Sequence, residues 1–191
     1  MPPDENLADG EGPVATVKMI QRIAITGPEC SGKTTLAEAL ATHFGTLWVP
    51  EYARQYLAKL GRPYRFEDIG AIARGQLRSE ARREPGAKRF LFCDTELIVA
   101  KIWSEFRFQR CDPWILATID IHRYALYLLT DIDLPWEDDP LREQSAHRPP
   151  LFQLYYRELV ARSLPFEVLS GSRDNRLRKA VRALEARFGP P

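Results

Sequence analysis

Between an alternating apolar run, "RIAIT", and a run with helical spacing, "KTTLAEALATHF", stands "GPECSGKT", residues 27–34. Strand, glycine-bearing loop and helix in that order constrain the rest of the chain more than any other feature. Gly27 and Gly32, followed by Lys33 and Thr34, match the pattern G-x-x-x-x-G-K-[ST]. The glycines let the backbone wrap closely, so that N–H groups turn inward toward phosphate oxygens. The expected cradle comprises Gly27, Pro28, Glu29, Cys30, Ser31, Gly32, Lys33, Thr34 and Thr35. A helix opening at Lys33 adds its positive N-terminal end. Lys33 is placed to reach the β- and γ-phosphates of a triphosphate, and the Thr34 hydroxyl to complete a Mg²⁺ shell. A chance match in an unrelated loop would not be expected to sit between a strand and a helix in this way.

The remaining pattern repeats the alternation. Strands are expected at residues 22–27, 46–50, 89–95, 125–131 and 166–171. Helices are expected from Lys33 to a stop at Gly45, from Glu51 to a stop at Gly61, over 66–84 and from Glu96 to about Phe108. A further helix opens with Asp112 as cap and Pro113 in its first turn, and two more cover 151–163 and 173–189. Strands alternating with helices predict an α/β domain: a three-layer fold with a five-stranded, mainly parallel sheet. "LPWEDDPLREQSAHRPP", residues 134–150, is polar and Pro-rich without periodicity and reads as a long loop. Residues 1–20 read as a frayed Pro-, Gly- and acid-rich tail, and 21–191 as one domain.

Composition narrows the partners. The 191 residues carry 27 basic and 26 acidic side chains, a net charge of +1, which speaks against general polyanion binding and so against nucleic acid. No stretch approaches the ~20 apolar residues that span a bilayer, and the N-terminus lacks a secretory pattern. The three cysteines, Cys30, Cys93 and Cys111, are odd in number and lack metal spacing. Such thiols suit a reducing cytoplasm, the expected location.

The loop motif does not separate kinases from switches or motors, so other residues must. "FLFCDT" ends a strand at Asp94, where a second metal-shell acid is expected; a helix cap for the following segment is the competing role. The chain has no "NKxD" guanine-reading element. Residues 135–150 carry Arg142 and Arg148, which suit a lid closing over a transferring phosphoryl group, against the alternative of a solvated loop.

Taken together, "ITGPECSGKTTLAEAL", "VPEYARQY", "FCDTELIVAKIW" and "YLLTDIDLPWEDDPLRE" resemble the bacterial nicotinamide riboside kinases, best known as the C-terminal kinase domain of NadR-type regulators. The resemblance runs from about Arg22 to the C-terminus and implies ATP-dependent phosphorylation of nicotinamide riboside to its mononucleotide, with ATP and Mg²⁺ required. The DNA-binding and nucleotidylyltransferase domains of the larger members are not expected, because about twenty residues precede the first strand. Glu51 lies just past the second strand, where the family places an acid that takes the proton of the 5′-hydroxyl; a first-turn acid stabilising its own helix is the alternative. Lys33, Glu51, Asp94 and Arg142 are thus the candidate catalytic set, with Thr34 and Asp94 on the metal.

Arg54, one turn beyond Glu51, has two roles open: contact with the acceptor or a phosphate, and pairing with Glu51. Glu96 is a candidate for ribose hydroxyls, against a helix N-terminal acid. A nicotinamide ring is a flat cation suited to an aromatic sandwich, for which Tyr52, Trp103 and Trp136 are candidates, each open equally to packing. Arg173 and Arg176, after the last strand, are candidates to stack on the adenine of ATP, with capping of that loop as the alternative. The alternatives to a nicotinamide riboside kinase are another small-molecule or deoxynucleoside kinase and a regulatory ATPase without a small acceptor. The sequence leaves the oligomeric state open.

Overall fold

The computed structural model describes residues 19–136 and 147–190. The expected tail up to residue 18, Arg142 and most of the expected lid fall outside these. β1 (Gln21–Thr26) carries Ile23, Ala24, Ile25 and Thr26, all fully buried. A strand apolar on both faces needs cover on both sides, which parallel strands joined by helical crossovers provide. The other strands are β2 (Leu47–Val49), β3 (Phe90–Asp94), β4 (Leu126–Thr130) and β5 (Phe166–Leu169). Their order in the sheet is β2-β3-β1-β4-β5, and every pairing is parallel.

The helices are α1 (Lys33–His43), α2 (Tyr52–Leu60), α3 (Phe66–Arg83), α4 (Leu97–Phe108), α5 (Pro113–Ile121), α6 (Arg148–Ala161) and α7 (Arg173–Phe188). The period-two alternation of the strands sorts their side chains into two cores. Ile23, Ile25, Phe90, Phe92, Leu126 and Leu128 pack against Leu36 and Leu40 of α1 and Ala180 and Leu184 of α7. Ala24, Leu91, Cys93, Tyr127 and Leu129 pack on the other face against residues of α3, α4, α5 and α6, among them Ile69, Ile98, Ile115 and Leu159. These are the three layers expected. No described helix is long and apolar enough to cross a membrane.

The expected five-stranded parallel sheet is present, and among the described residues every pairing in it is parallel. One expectation needs adjustment. The sixth helix starts three residues earlier than its apolar spacing suggests, because "RPP" occupies its first turn. Proline is tolerated there, where the missing N–H has no intrahelical partner in any case. Arg148 is therefore helical rather than part of a loop.

The sheet order positions the site. β1 is followed by a helix on one face and β3 by a helix on the other, which opens a crevice at their carboxyl ends. Since β3 lies between β2 and β1, the exits of β2, β3 and β1 stand side by side. Residues 51, 94 and 27, distant in sequence, are thereby brought to one edge.

Candidate active site

The loop after β1 has the backbone its glycines promise. Gly27 has φ 134° and Gly32 φ 81°, in the left-handed region. A Cβ at Gly27 would come within 2.7 Å of Thr130 Oγ1, so nothing larger fits. Ser31 is buried; its Oγ donates to Pro28 O at 2.7 Å and lies 2.6 Å from Thr130 Oγ1, so its side chain fixes the loop rather than facing a ligand. The α1 N-terminus has no side-chain cap, which leaves its first N–H groups for an anion. Lys33 Nζ donates to Gly27 O at 3.0 Å and Pro28 O at 2.7 Å, folded over the loop.

At the exit of β3, Thr34 Oγ1 donates to Asp94 Oδ2 at 2.6 Å. Asp94 is fully buried, and its Oδ1 has no hydrogen-bond partner. Burial pushes its carboxyl up to about 6, reinforced by the charge of Glu51 and opposed by Lys33 and the Thr34 hydroxyl. An orphaned carboxylate oxygen beside a threonine hydroxyl is a hard-oxygen pair that suits Mg²⁺. Among the described residues no group of three or more His, Cys, Asp and Glu gathers into a metal cage. At the exit of β2, Glu51 precedes α2, and Arg54 Nε lies 3.4 Å from its Oε2.

A cavity of about 430 Å³ opens over these groups. Its wall includes the whole stretch 27–35, Glu51, Arg54, Trp103 and Arg173, so these expected site residues converge. Others do not. Glu96 is buried beneath the site: its Oε1 accepts from Thr26 Oγ1 at 3.0 Å and its Oε2 from Ile98 N at 2.6 Å. It caps α4, with both oxygens spent, and burial pushes it up to about 7. Arg176 is buried too, donating from Nε to Gly171 O at 3.0 Å, from Nη2 to Asp131 O at 2.9 Å and Asp133, and from Nη1 to Ser31 O. It braces the phosphate loop from below and has no face left for a base. Arg148 donates from Nη2 to Cys30 O at 3.3 Å and to Ile132 O and Leu134 O at 3.0 Å. It is a second brace, not a mobile arginine. Tyr52 packs its ring on Gly75 of α3, and neither Tyr52 nor Trp136 is among the residues that line the cavity; the Trp136 ring lies 6.0 Å from the Arg148 guanidinium. Trp103 lines the cavity, but its Nε1 is given to Tyr64 Oη at 3.1 Å.

Two contributors are absent from the sequence reading. Gln76 of α3 is buried; its Oε1 accepts from Tyr52 N at 2.9 Å, and its Nε2 points at Asp94 O and Thr95 O, each at 3.4 Å. It ties the helix behind Glu51 to the strand exit that carries Asp94. Its signal was a polar residue on a face otherwise filled by Ile69, Ile72 and Ala73. The second is the apolar far wall, built from Val99, Ile102 and Phe106 of α4 and Leu151 and Tyr155 of α6. Helical spacing marks such residues only as buried, and nothing in it separates cavity from core.

Comparison with known proteins agrees with this geometry. A family model described as an AAA domain matches residues 22–176. The trifunctional NAD biosynthesis/regulator protein NadR of Salmonella typhimurium is 28% identical over 177 residues, covering 89% of this chain and 43% of that protein. NadR of Escherichia coli gives the same identity and coverage. The chain thus spans 43% of the length of these curated relatives. Among solved structures, a NadR protein in complex with NR superposes with a TM-score of 0.81 at 23% identity, over 90% of this chain and 52% of that one. Thymidylate kinase from Ehrlichia chaffeensis gives 0.65 at 14% identity, over 86% and 98%. Deoxyadenosine kinase from M. mycoides gives 0.62 at 14%, over 86% and 99%. These superpositions establish a P-loop kinase fold.

Proposed function

This chain belongs to the AAA domain family matched over residues 22–176, and on that premise we propose that it is an ATP-dependent kinase that phosphorylates the 5′-hydroxyl of nicotinamide riboside. One observation carries the reading: Glu51, Thr34 and the phosphate loop line a cavity whose far wall is apolar, with buried Asp94 bonded to Thr34 just behind that lining. A nucleotide switch has no use for a second chamber beyond its γ-phosphate site. The acceptor is taken from the likeness to NadR, one structure of which holds NR.

Phosphoryl transfer depends mainly on alignment and charge neutralisation. The loop N–H groups and the α1 N-terminus hold the phosphates, and Lys33, released from its two carbonyls, follows the γ-phosphoryl group. Thr34 and Asp94 would hold Mg²⁺, which supplies charge neutralisation at the phosphate oxygens. Glu51 faces the acceptor hydroxyl and takes its proton as that oxygen bonds to phosphorus and the bond to ADP breaks. Arg54, whose Nε lies 3.4 Å from Glu51 Oε2, holds the carboxylate in orientation. A deoxynucleoside acceptor is the second reading, favoured by the superposition on deoxyadenosine kinase.

Coupled ADP release from Mg²⁺-ATP tests this, with nicotinamide riboside, uridine and deoxycytidine as acceptors and Lys33→Ala as the inactive control. Release that depends on nicotinamide riboside and vanishes in the control is expected. Release that no nucleoside stimulates would remove the kinase reading, and a preference for deoxycytidine would exchange the acceptor.

A further inference from the structure

The far wall of the cavity offers a bound acceptor very few polar atoms. Val99, Ile102, Phe106 and Leu151 offer none, and Trp103 Nε1 is already engaged with Tyr64. Tyr155, one turn beyond Leu151 on α6, differs. Only 5% of it is exposed, it lines the cavity, and its hydroxyl has no hydrogen bond. Tyr124 Oη donates to Glu80 and Tyr56 Oη to Asp68, each at 2.7 Å, and Tyr127, 1% exposed, lies in the core away from the cavity lining. Among the described residues, the buried side-chain atoms sealed from solvent without a partner are Asp94 Oδ1 and Arg148 Nε. Tyr155 Oη is not one of them, and of the unbonded phenols it is Tyr155 that lines the cavity. A polar atom left unpaired on an apolar wall costs stability unless a ligand satisfies it.

We infer that Tyr155 Oη donates a hydrogen bond to a carbonyl oxygen on the base of the acceptor nucleoside and so helps determine which nucleosides the site accepts. The inference rests on the kinase reading above. In that reading the ribose and its 5′-hydroxyl must stand at Glu51, beside the phosphate loop, which leaves the α4–α6 wall to the base. The phenol is a donor under all working conditions, since burial and the carboxylates of Glu96, Glu29 and Glu51 push its pKa well above the usual tyrosine value. A donor on this wall suits a carboxamide or ring carbonyl. A base with only hydrogens at that edge would leave the hydroxyl unpaired, which is how buried polar groups reject close analogues.

The test is a cycle of Tyr155→Phe against removal of the partner oxygen, with nicotinamide riboside and the pyridine riboside that lacks the carboxamide. Wild type should show a KM for nicotinamide riboside about 3- to 10-fold below that of the variant, the worth of one neutral hydrogen bond. The KM for ATP and kcat should be unchanged, the two proteins should use the carboxamide-free riboside equally, and the variant should melt no lower than wild type. Equal KM values for nicotinamide riboside overturn the inference while leaving the kinase reading intact. So does the same KM increase on the riboside without a carboxamide, and so does a lowered melting temperature with unchanged kinetics, which marks a structural hydroxyl. Turnover of uridine or deoxycytidine instead exchanges the acceptor, and the ratio is then read on those bases, which carry ring carbonyls. No stimulation by any nucleoside overturns both readings.

Discussion

Arg176 was open to stacking on adenine or to capping the loop after β5, and its contacts in the structure are of the second kind, which can be weighed. Its side chain is 2% exposed and its guanidinium meets Gly171 O, Asp131 O, Ser31 O and Asp133. Arg176→Met keeps most of the stem and removes the charge and every donor. Breaking a buried ion pair from one side costs about 3–5 kcal/mol. The Asp133 side chain is 38% exposed and can be rehydrated, so the low end, about 3 kcal/mol, applies. For a chain of this length that corresponds to a fall of about 6–12 °C in Tm. The assay is thermal unfolding without nucleotide, followed by titration with an ATP analogue. Arg173→Met is the control: Arg173 lines the cavity, so its variant should lose nucleotide affinity with Tm almost unchanged. An Arg176→Met protein that melts like wild type but binds ATP poorly would refute the brace and restore the contact with the base.

Glu51→Gln should lower kcat by about 10- to 100-fold, at or below the foot of the usual range for a general base, because transfer depends mostly on positioning and charge. ATP affinity should be unchanged; wild-type rates would remove Glu51 from that role. Gln76→Leu leaves the Tyr52 N–H without its acceptor, so a loss of about 1–3 kcal/mol is expected in denaturant unfolding. With Glu51 and Asp94 no longer tied together, kcat should also fall by about tenfold or more, since small misplacements are costly to aligned reactants; unchanged kcat in a destabilised protein would confine Gln76 to packing. Asp68 accepts from Arg62 and Tyr56 and from Arg65 N, and the Arg62 guanidinium foremost holds its carboxyl well below the usual range. A depressed folded pKa contributes stability above the unfolded value of about 3.9, which is lost as pH falls below it. Asp68→Asn should therefore melt lower than wild type at pH 7, with the two curves converging toward pH 2; a constant gap down to pH 2 would sink the assignment.

The layers of the fold were legible because short strand-like runs, such as "RIAIT" and "RFLFCD", alternate along the chain with longer runs of helical spacing. The phosphate loop was legible for a related reason: its chemistry is local, carried by the backbone of nine consecutive residues. The β2-β3-β1 order, which places Glu51 beside Asp94, is a property of crossovers and leaves no mark in the letters. Arginine was the least legible type. Arg148 and Arg176 read as ligand contacts because each follows a strand exit, yet both end on backbone carbonyls, including Cys30 O and Ser31 O of the phosphate loop. A loop that turns its N–H groups toward a ligand turns some carbonyls away from it, and those oxygens need donors from behind. Guanidinium groups, with five donors in a rigid fork, suit that task.

The run "DTE" shows how far two equal letters can diverge. Asp94, Thr95 and Glu96 are all buried, and both acids are pushed upward by burial, to about 6 and about 7. Between them Thr95 takes φ 70°, a left-handed conformation that a β-branched residue adopts only under strain, on the order of 1–3 kcal/mol. That turn sends the two carboxyls to different neighbours. Glu96 finds Thr26 and the head of α4, where both oxygens are bonded and its work is structural. Asp94 meets Thr34 with one oxygen and leaves the other unmatched beside the phosphate loop. The strained residue sits between an acid with both oxygens bonded and an acid with one oxygen unmatched. Gln76, reaching Asp94 O and Thr95 O, is the side chain that supports it there. The unmatched oxygen of Asp94 is thus a property of its surroundings rather than of its own chemistry, and the helix-capping role left open for Glu96 in sequence is the one its surroundings select.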